Sequence, residues 1–235
     1  MKAIILAGGK GTRLKDVIQD IPKPLAPVGE KPFLEYLILQ LKKWKIDEIV
    51  LSVGYKKETI KTKLGDGSQF DVSITYCEEN EPLGTGGALK KAISCNNDSD
   101  YIVMNGDSFF GINFLQLIDF HKSKKALATM ALAVVKDKSR YGGVELERDG
   151  RVKSFQEKGL SVPGIINGGT YIISKNILDY IPDGQISLEG EVLPSLIRES
   201  LLYGVAFNTF FLDIGIPGDY FWANKHLEYL TGEFY

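Results

Sequence analysis

The sequence predicts an α/β fold: a three-layer arrangement in which helices cover both faces of a mostly parallel, mixed central sheet. Three observations carry this. Apolar runs of strand length alternate four times with segments of helical periodicity in the first half of the chain. The first run is continuously apolar rather than alternating, as a strand buried on both faces requires. A glycine-rich stretch follows it directly, where ligand loops leave the carboxyl ends of parallel strands.

Taken in order, Met1 to Ala7 (MKAIILA) is the first buried strand, and the glycine-rich loop follows it. Pro32 to Trp44 places Phe33, Leu37, Leu41 and Trp44 at helical spacing, with lysines opposite. Glu48 to Val53 is a second buried strand, with Lys56 to Leu64 a polar helix behind it. Val72 to Tyr76 is a third strand, Gly86 to Ile93 a helix, Tyr101 to Met104 a fourth strand ending in Asn105-Gly106-Asp107, and Asn113 to His121 a helix. The second half changes character. Ala128 to Val135, Gly143 to Glu147, Val152 to Phe155 and Gly169 to Ser174 are short strand-like runs separated by turn signals such as Asp149-Gly150, so a mixed sheet with inserted hairpins is expected there. Glu191 to Ser200 and Tyr220 to Tyr229 are the closing helices. No repeat, low-complexity tract or linker interrupts the chain, so residues 1–235 are expected to form one domain of two intimately packed halves.

With 44% hydrophobic and 25% charged residues among 235, the composition is that of an ordinary globular protein. The formal net charge of -2 provides no global basic field for nucleic acid or anionic lipid, so an anionic ligand must be held by a local site. Cys77 and Cys95 form no metal-ligand spacing and no disulfide framework, and read as reduced, packed thiols. No apolar run reaches the roughly 18 residues of a membrane span, and a cytoplasmic protein is expected. His121 and His226 have no partner motif and read as structural, while Trp44 and Trp222 read as core or interface residues.

The strongest local signal is Ala7-Gly8-Gly9-Lys10-Gly11-Thr12-Arg13. Glycines let the backbone approach a phosphate and point N–H groups at it, and Arg13 adds a planar fork of donors. The loop is neither of two better-known phosphate motifs. A P-loop needs Lys and Ser/Thr after its second glycine, and the dinucleotide fingerprint needs a glycine where Leu14 stands. That absence also opposes an NAD(P)-dependent oxidoreductase. Ten residues on, Pro22-Lys23-Pro24 restricts the backbone on both sides of Lys23, which suits a second phosphate contact held with little positional freedom.

Gly8-Gly9-Lys10-Gly11-Thr12-Arg13-Leu14 followed by Pro22-Lys23-Pro24-Leu25 resembles the signature of the sugar-1-phosphate nucleotidylyltransferases. The resemblance implies a Rossmann-like, GT-A-like nucleotidyltransferase fold and Mg²⁺-dependent transfer of a nucleotidyl group with release of pyrophosphate. It also implies that Arg13 holds the triphosphate while Lys23 contacts the α-phosphate. Leu6, Ala7, Gly8, Gly9, Gly11 and Thr12 would line the nucleotide. Glu81-Pro82-Leu83-Gly84-Thr85-Gly86 corresponds to the family's base and ribose segment; Glu81 is either a guanine acceptor or a solvated loop carboxylate. Asp107 and Asp213 match the metal ligands; from the sequence alone each could equally be a cap or turn residue.

Tyr141-Gly142-Gly143-Val144 and Phe155-Gln156-Glu157-Lys158 look like the family's sugar-phosphate elements, and Asn167-Gly168-Gly169 like a further sugar loop. Gly142, Glu157, Asn167 and Glu189 would meet the sugar and Lys158 its phosphate; the plain alternative is an ordinary hairpin with surface charges. The loop after Arg13 lacks the proline and threonine of the thymidylyltransferase pattern. The short chain, Ile21 to Val28 and Phe211 to Tyr220 look most like D-glycero-α-D-manno-heptose 1-phosphate guanylyltransferases, which implies GTP and a heptose 1-phosphate as substrates. A mannose-1-phosphate guanylyltransferase or a uridylyltransferase is the alternative. A homodimer is compatible with this reading, and a non-catalytic nucleotide sensor is opposed by the presence of Arg13, Lys23, Asp107 and Asp213 together.

Overall fold

The computed structural model describes residues 1–9, 11, 14, 17–18, 21–156 and 158–232, the stretch 227–232 as backbone. In chain order the elements are β1 (Ala3–Leu6), β2 (Pro27–Val28), β3 (Lys31–Pro32), α1 (Phe33–Lys43), β4 (Glu48–Val53), α2 (Lys57–Leu64), β5 (Ser73–Glu78), α3 (Gly84–Ser94), β6 (Asp100–Asn105), β7 (Ser108–Phe110) and α4 (Phe114–Lys124). They continue with β8 (Ala128–Val135), β9 (Val144–Leu146), β10 (Val152–Phe155), β11 (Gly164–Ser174), α5 (Leu193–Arg198), β12 (Leu202–Phe207), β13 (Phe211–Asp213) and α6 (Pro217–Gly232).

Seven strands form the central sheet in the order β12-β8-β11-β6-β1-β4-β5, so both halves of the chain contribute to it. The pairs β6–β1, β1–β4, β4–β5 and β12–β8 are parallel, and β11 runs antiparallel to both its neighbours. The sheet is mixed and mostly parallel, as expected.

Successive residues of each strand feed opposite cores. Ala3, Ile5, Ile102 and Met104 join one cluster with the apolar sides of α1, α2, α4 and α6. Ile4, Tyr101, Val103 and Tyr171 join the other with α3 and α5. Helix α1 shows why the apolar spacing decides: Phe33, Leu34, Leu37, Ile38 and Leu41 are fully buried, and Lys42 and Lys43 close its last turn. Asn113 caps α4, its side chain accepting from the Gln116 amide at 3.1 Å. His121 is structural: it is buried on α4, its Nδ1 lies 2.8 Å from the Thr129 hydroxyl, and burial lowers its pKa. Trp44 packs edge-on against Phe114, while Trp222 stands 42% exposed between Phe210 and His226.

Several details depart from the sequence reading. Cys95 is exposed and only Cys77 is buried. The run read as a strand from Gly169 begins at Gly164, with a bulge between Asn167 and Thr170 absorbed inside β11. The helix read from Glu191 is a π-turn over Leu188–Val192 followed by α5. Strand β12 and the short ribbons β2–β3 and β7–β13 had no counterpart in the reading. Among the described residues, no helix is long and apolar enough to cross a membrane.

Candidate active site

A cleft of about 880 Å³ opens over the carboxyl ends of β1, β4, β5 and β6. Register explains why those ends coincide: Leu6 lies beside both Ser52 and Asn105, and Val53 beside Glu78. Leu6, Ala7, Gly8, Gly9 and Gly11 line it, and Lys23 faces them. Gly11 is the tight point. Its φ is +58°, and a Cβ there would lie 2.7 Å from Lys23 Cβ, so only glycine lets the loop lie against the lysine. Thr12 and Arg13 lie outside the described residues, as does Glu157.

Lys23 and the two aspartates come together. Lys23 Nζ donates to Asp107 Oδ2 at 2.6 Å, with the lysine side chain only 12% exposed. Asp213 arrives through the ribbon β7–β13, which pairs it with Ser108, while the Ile214 amide donates to the Asp107 carbonyl at 3.0 Å. Burial raises the Asp213 pKa and the Asp107 carboxylate raises it further, against the lowering effects of Lys23, the Gly215 amide and Arg140. Asn105 Oδ1 and Ser108 Oγ flank Asp107, buried and without a hydrogen-bond partner among the described residues. No cluster of three or more His, Cys, Asp or Glu side chains suited to a metal occurs among those residues. Two neighbouring carboxylates fit a hard ion such as Mg²⁺, which takes one or two carboxylates plus substrate phosphates and waters.

Helix α6 braces this centre from outside. Tyr220 Oη and Asn224 Nδ2 donate to the Pro27 carbonyl at 2.7 and 3.0 Å, and Asn224 Oδ1 accepts from the Gly29 amide at 3.1 Å. Asp219 in its first turn pairs with Arg140, whose guanidinium lies over the Tyr141 ring. Burial, with Asp213 as the next cause, pushes the Tyr141 hydroxyl up to about 12.

The remaining residues divide. Gly142 has φ +76°, and a Cβ there would lie 3.7 Å from Lys158 Cγ, so Lys158 stands beside it, exposed. Asn167 spends its amide on the fold: Nδ2 donates to Tyr171 Oη at 2.7 Å, and Oδ1 accepts from the Gly169 amide at 2.9 Å. Antiparallel pairing of β11 with β6 brings this bulge alongside Asn105 and Ser108. Glu189, on the π-turn, accepts from the Thr85 hydroxyl at 2.8 Å. Gly84 and Thr85 line the cleft, whereas the Gly86 amide is turned onto the Ile186 carbonyl at 2.8 Å.

Glu81 is exposed on the rim. Glu79 sits deeper, and the sequence reading missed it. Its Oε2 accepts from the Leu83 amide at 3.2 Å and its Oε1 from the Ser52 hydroxyl at 3.4 Å, beside Gly8. The signal was available: Glu79 directly follows a parallel strand, the same placement that singled out Asp107. Tyr171 and Arg140 were also missed.

Three comparisons bear on this geometry. A family model described as Nucleotidyl transferase matches residues 2–229. The D-glycero-alpha-D-manno-heptose 1-phosphate guanylyltransferase of Aneurinibacillus thermoaerophilus is 43% identical, covering 97% of this chain and 99% of its own. The mannose-1-phosphate guanylyltransferase of Mycobacterium tuberculosis is 36% identical over 93% of this chain and 62% of its own. Among solved structures, HddC from Yersinia pseudotuberculosis complexed with GMP-PN superposes with a TM-score of 0.85 at 37% identity, covering 96% of this chain and 99% of that one. With a model match across nearly the whole length and the glycine loop set against Lys23 and two carboxylates, the chain belongs to the nucleotidyl transferase family.

Proposed function

We propose that the chain transfers GMP from GTP to D-glycero-α-D-manno-heptose 1-phosphate, releasing pyrophosphate and forming the GDP-heptose. The observation that carries the reaction is the meeting of Lys23, Asp107 and Asp213 at the end of a glycine-lined cleft. What supports the substrates is the likeness to the Aneurinibacillus enzyme over 97% of this chain and 99% of its own, together with the GMP-PN complex of HddC.

The reaction is an in-line displacement. A phosphate oxygen of the sugar 1-phosphate attacks the α-phosphorus; that O–P bond forms as the bond to the β-phosphate oxygen breaks, and pyrophosphate departs with the electron pair. The nucleophile is anionic at neutral pH, so no general base is needed. Lys23 leaves Asp107 to meet the α-phosphate, Arg13 holds the triphosphate, and Lys158 neutralises the incoming phosphate. Asp107 and Asp213 would hold Mg²⁺, which when bound offsets charge on the crowded phosphates. The backbone of Leu6 to Gly9, of Gly11 and of Gly84 flanks the nucleotide. Glu79 reads the base: guanine presents N1–H and N2–H₂ side by side, and a carboxylate offers two acceptors to them. On the C-terminal half, Gly142, Glu157 and Glu189 would meet the sugar, as would the one amide hydrogen and one lone pair that Asn167 has left after its bonds to Tyr171 and the Gly169 amide.

The Mycobacterium relative favours a second reading, mannose 1-phosphate as acceptor. Pyrophosphate release from GTP, UTP, dTTP and ATP, each with heptose, mannose, glucose and N-acetylmuramic acid 1-phosphates and Mg²⁺, tests both. GTP with the heptose is expected to give the highest kcat/KM. Highest turnover with mannose selects the second reading, and no turnover with any pair rejects both.

A further inference from the structure

The loop after β5 and the turn that carries Glu189 are stitched into one unit. The Ile186 amide donates to the Leu83 carbonyl at 2.8 Å, and the Ile186 carbonyl accepts from the Gly86 and Gly87 amides at 2.8 and 3.3 Å. Gly84 has φ +69°, and a Cβ there would sit 2.4 Å from the Ile186 carbonyl oxygen, so no side chain fits between the two backbones. At its centre stands Thr85. Its hydroxyl accepts from the Leu188 amide at 2.8 Å and donates to Glu189 Oε2 at 2.8 Å. A hydroxyl has one proton to give, so this leaves Thr85 no donor for a nucleotide, although it lines the cleft. Glu189 Oε1 faces the Tyr171 hydroxyl at 3.5 Å, and that hydroxyl accepts from Asn167.

We propose that Thr85 is a positioning residue: from the loop that flanks the nucleotide, it fixes Glu189 in the orientation that accepts the sugar hydroxyls, so the two substrate sites are coupled through one hydroxyl. This rests on the reading of Glu189 as a sugar contact. A carboxylate on a π-turn has freedom to swing, and the charge-assisted bond from Thr85 removes it. The Leu188 bond holds the turn itself.

Thr85→Val keeps the shape and deletes the hydroxyl. The KM for D-glycero-α-D-manno-heptose 1-phosphate is expected to rise roughly tenfold, the scale of one bond to a charged group, with the KM for GTP within about twofold. Thr85→Ser restores the hydroxyl and the low KM. The double variant Thr85→Val/Glu189→Gln is expected to lose no more than Glu189→Gln alone, because Thr85 acts through Glu189. Should Thr85→Val fail to fold, Thr85→Ala removes the same hydroxyl without added bulk and is read the same way. An equal rise in both KM values, or additive losses in the double variant, overturns the proposal. If Glu189→Gln raises the sugar-phosphate KM while Thr85→Val does not, only the coupling falls. If Glu189→Gln leaves that KM unchanged, the sugar role of Glu189 falls and the coupling with it.

Discussion

Base selectivity offers the most incisive test, because Glu79 is one side chain in one place. Its Oε2 is anchored by the Leu83 amide, while Oε1 receives only a long 3.4 Å bond from Ser52, so acceptor capacity remains for a base. Glu79→Gln preserves length and one acceptor but turns the other oxygen into a donor, which opposes a donor on guanine. A hydrogen bond to a charged partner contributes about 1.5–3 kcal/mol. At about 1.36 kcal/mol per decade, kcat/KM for GTP should fall roughly ten- to 150-fold. Uracil, with one N–H donor between two carbonyl acceptors, suits an amide better than a carboxylate, so the UTP/GTP ratio of kcat/KM should rise at least as much. Inosine triphosphate lacks the 2-amino group, so the wild-type preference for GTP over it should shrink in the variant. Pyrophosphate release with each triphosphate at saturating sugar phosphate measures all three. GTP use within twofold of wild type and unchanged ratios would refute the assignment. So would an equal loss with every triphosphate, which reports damage to the cleft rather than to base reading.

Two further outcomes are expected. Lys23→Ala should lower kcat by at least about a hundredfold, the cost of one preorganised charge contact, and near-normal turnover would strike out its role. Asp213→Asn should abolish Mg²⁺-dependent turnover yet stabilise the protein at pH 7 without divalent ions. The sign follows from its raised pKa, chiefly due to burial: the stability this group contributes is present below the ordinary carboxylate value and lost as pH rises through the folded value. The gain in melting temperature should therefore shrink toward pH 4, and a variant that melts lower at pH 7 contradicts the account.

The parallel core was legible because its strands are apolar throughout and its helices carry a clear apolar spacing; β4 and β8 appear with the bounds read from the sequence. Lys23 and Asp107 were legible because each has a local mark, the flanking prolines and the strand end. Asp213 was found by resemblance alone, since the ribbon that delivers it has strands of only three residues, too short for any periodicity. Glu79 lost to Glu81 because the Pro82-Leu83-Gly84 loop draws attention to its own carboxylate. Only the fold shows that the loop turns toward Ile186, which sets Glu79 beside Gly8 and leaves Glu81 exposed on the rim of the cleft. The β11 bulge was split into loop and strand because Gly168-Gly169 breaks the pattern locally, while the ladder to β8 continues on both sides.

The bracing of Pro27 and Gly29 by Tyr220 and Asn224 spans nearly the whole polypeptide, with partners 193 to 197 positions apart. The turn from Pro27 to Gly29, four to six residues after Lys23, is thus completed only when α6 has folded onto it. During synthesis, the segment that follows Lys23 gains these bonds only after residue 224 has left the ribosome. A cut ahead of α6 would sever that bracing from the chain while leaving Lys23, Asp107 and Asp213 on one piece of it.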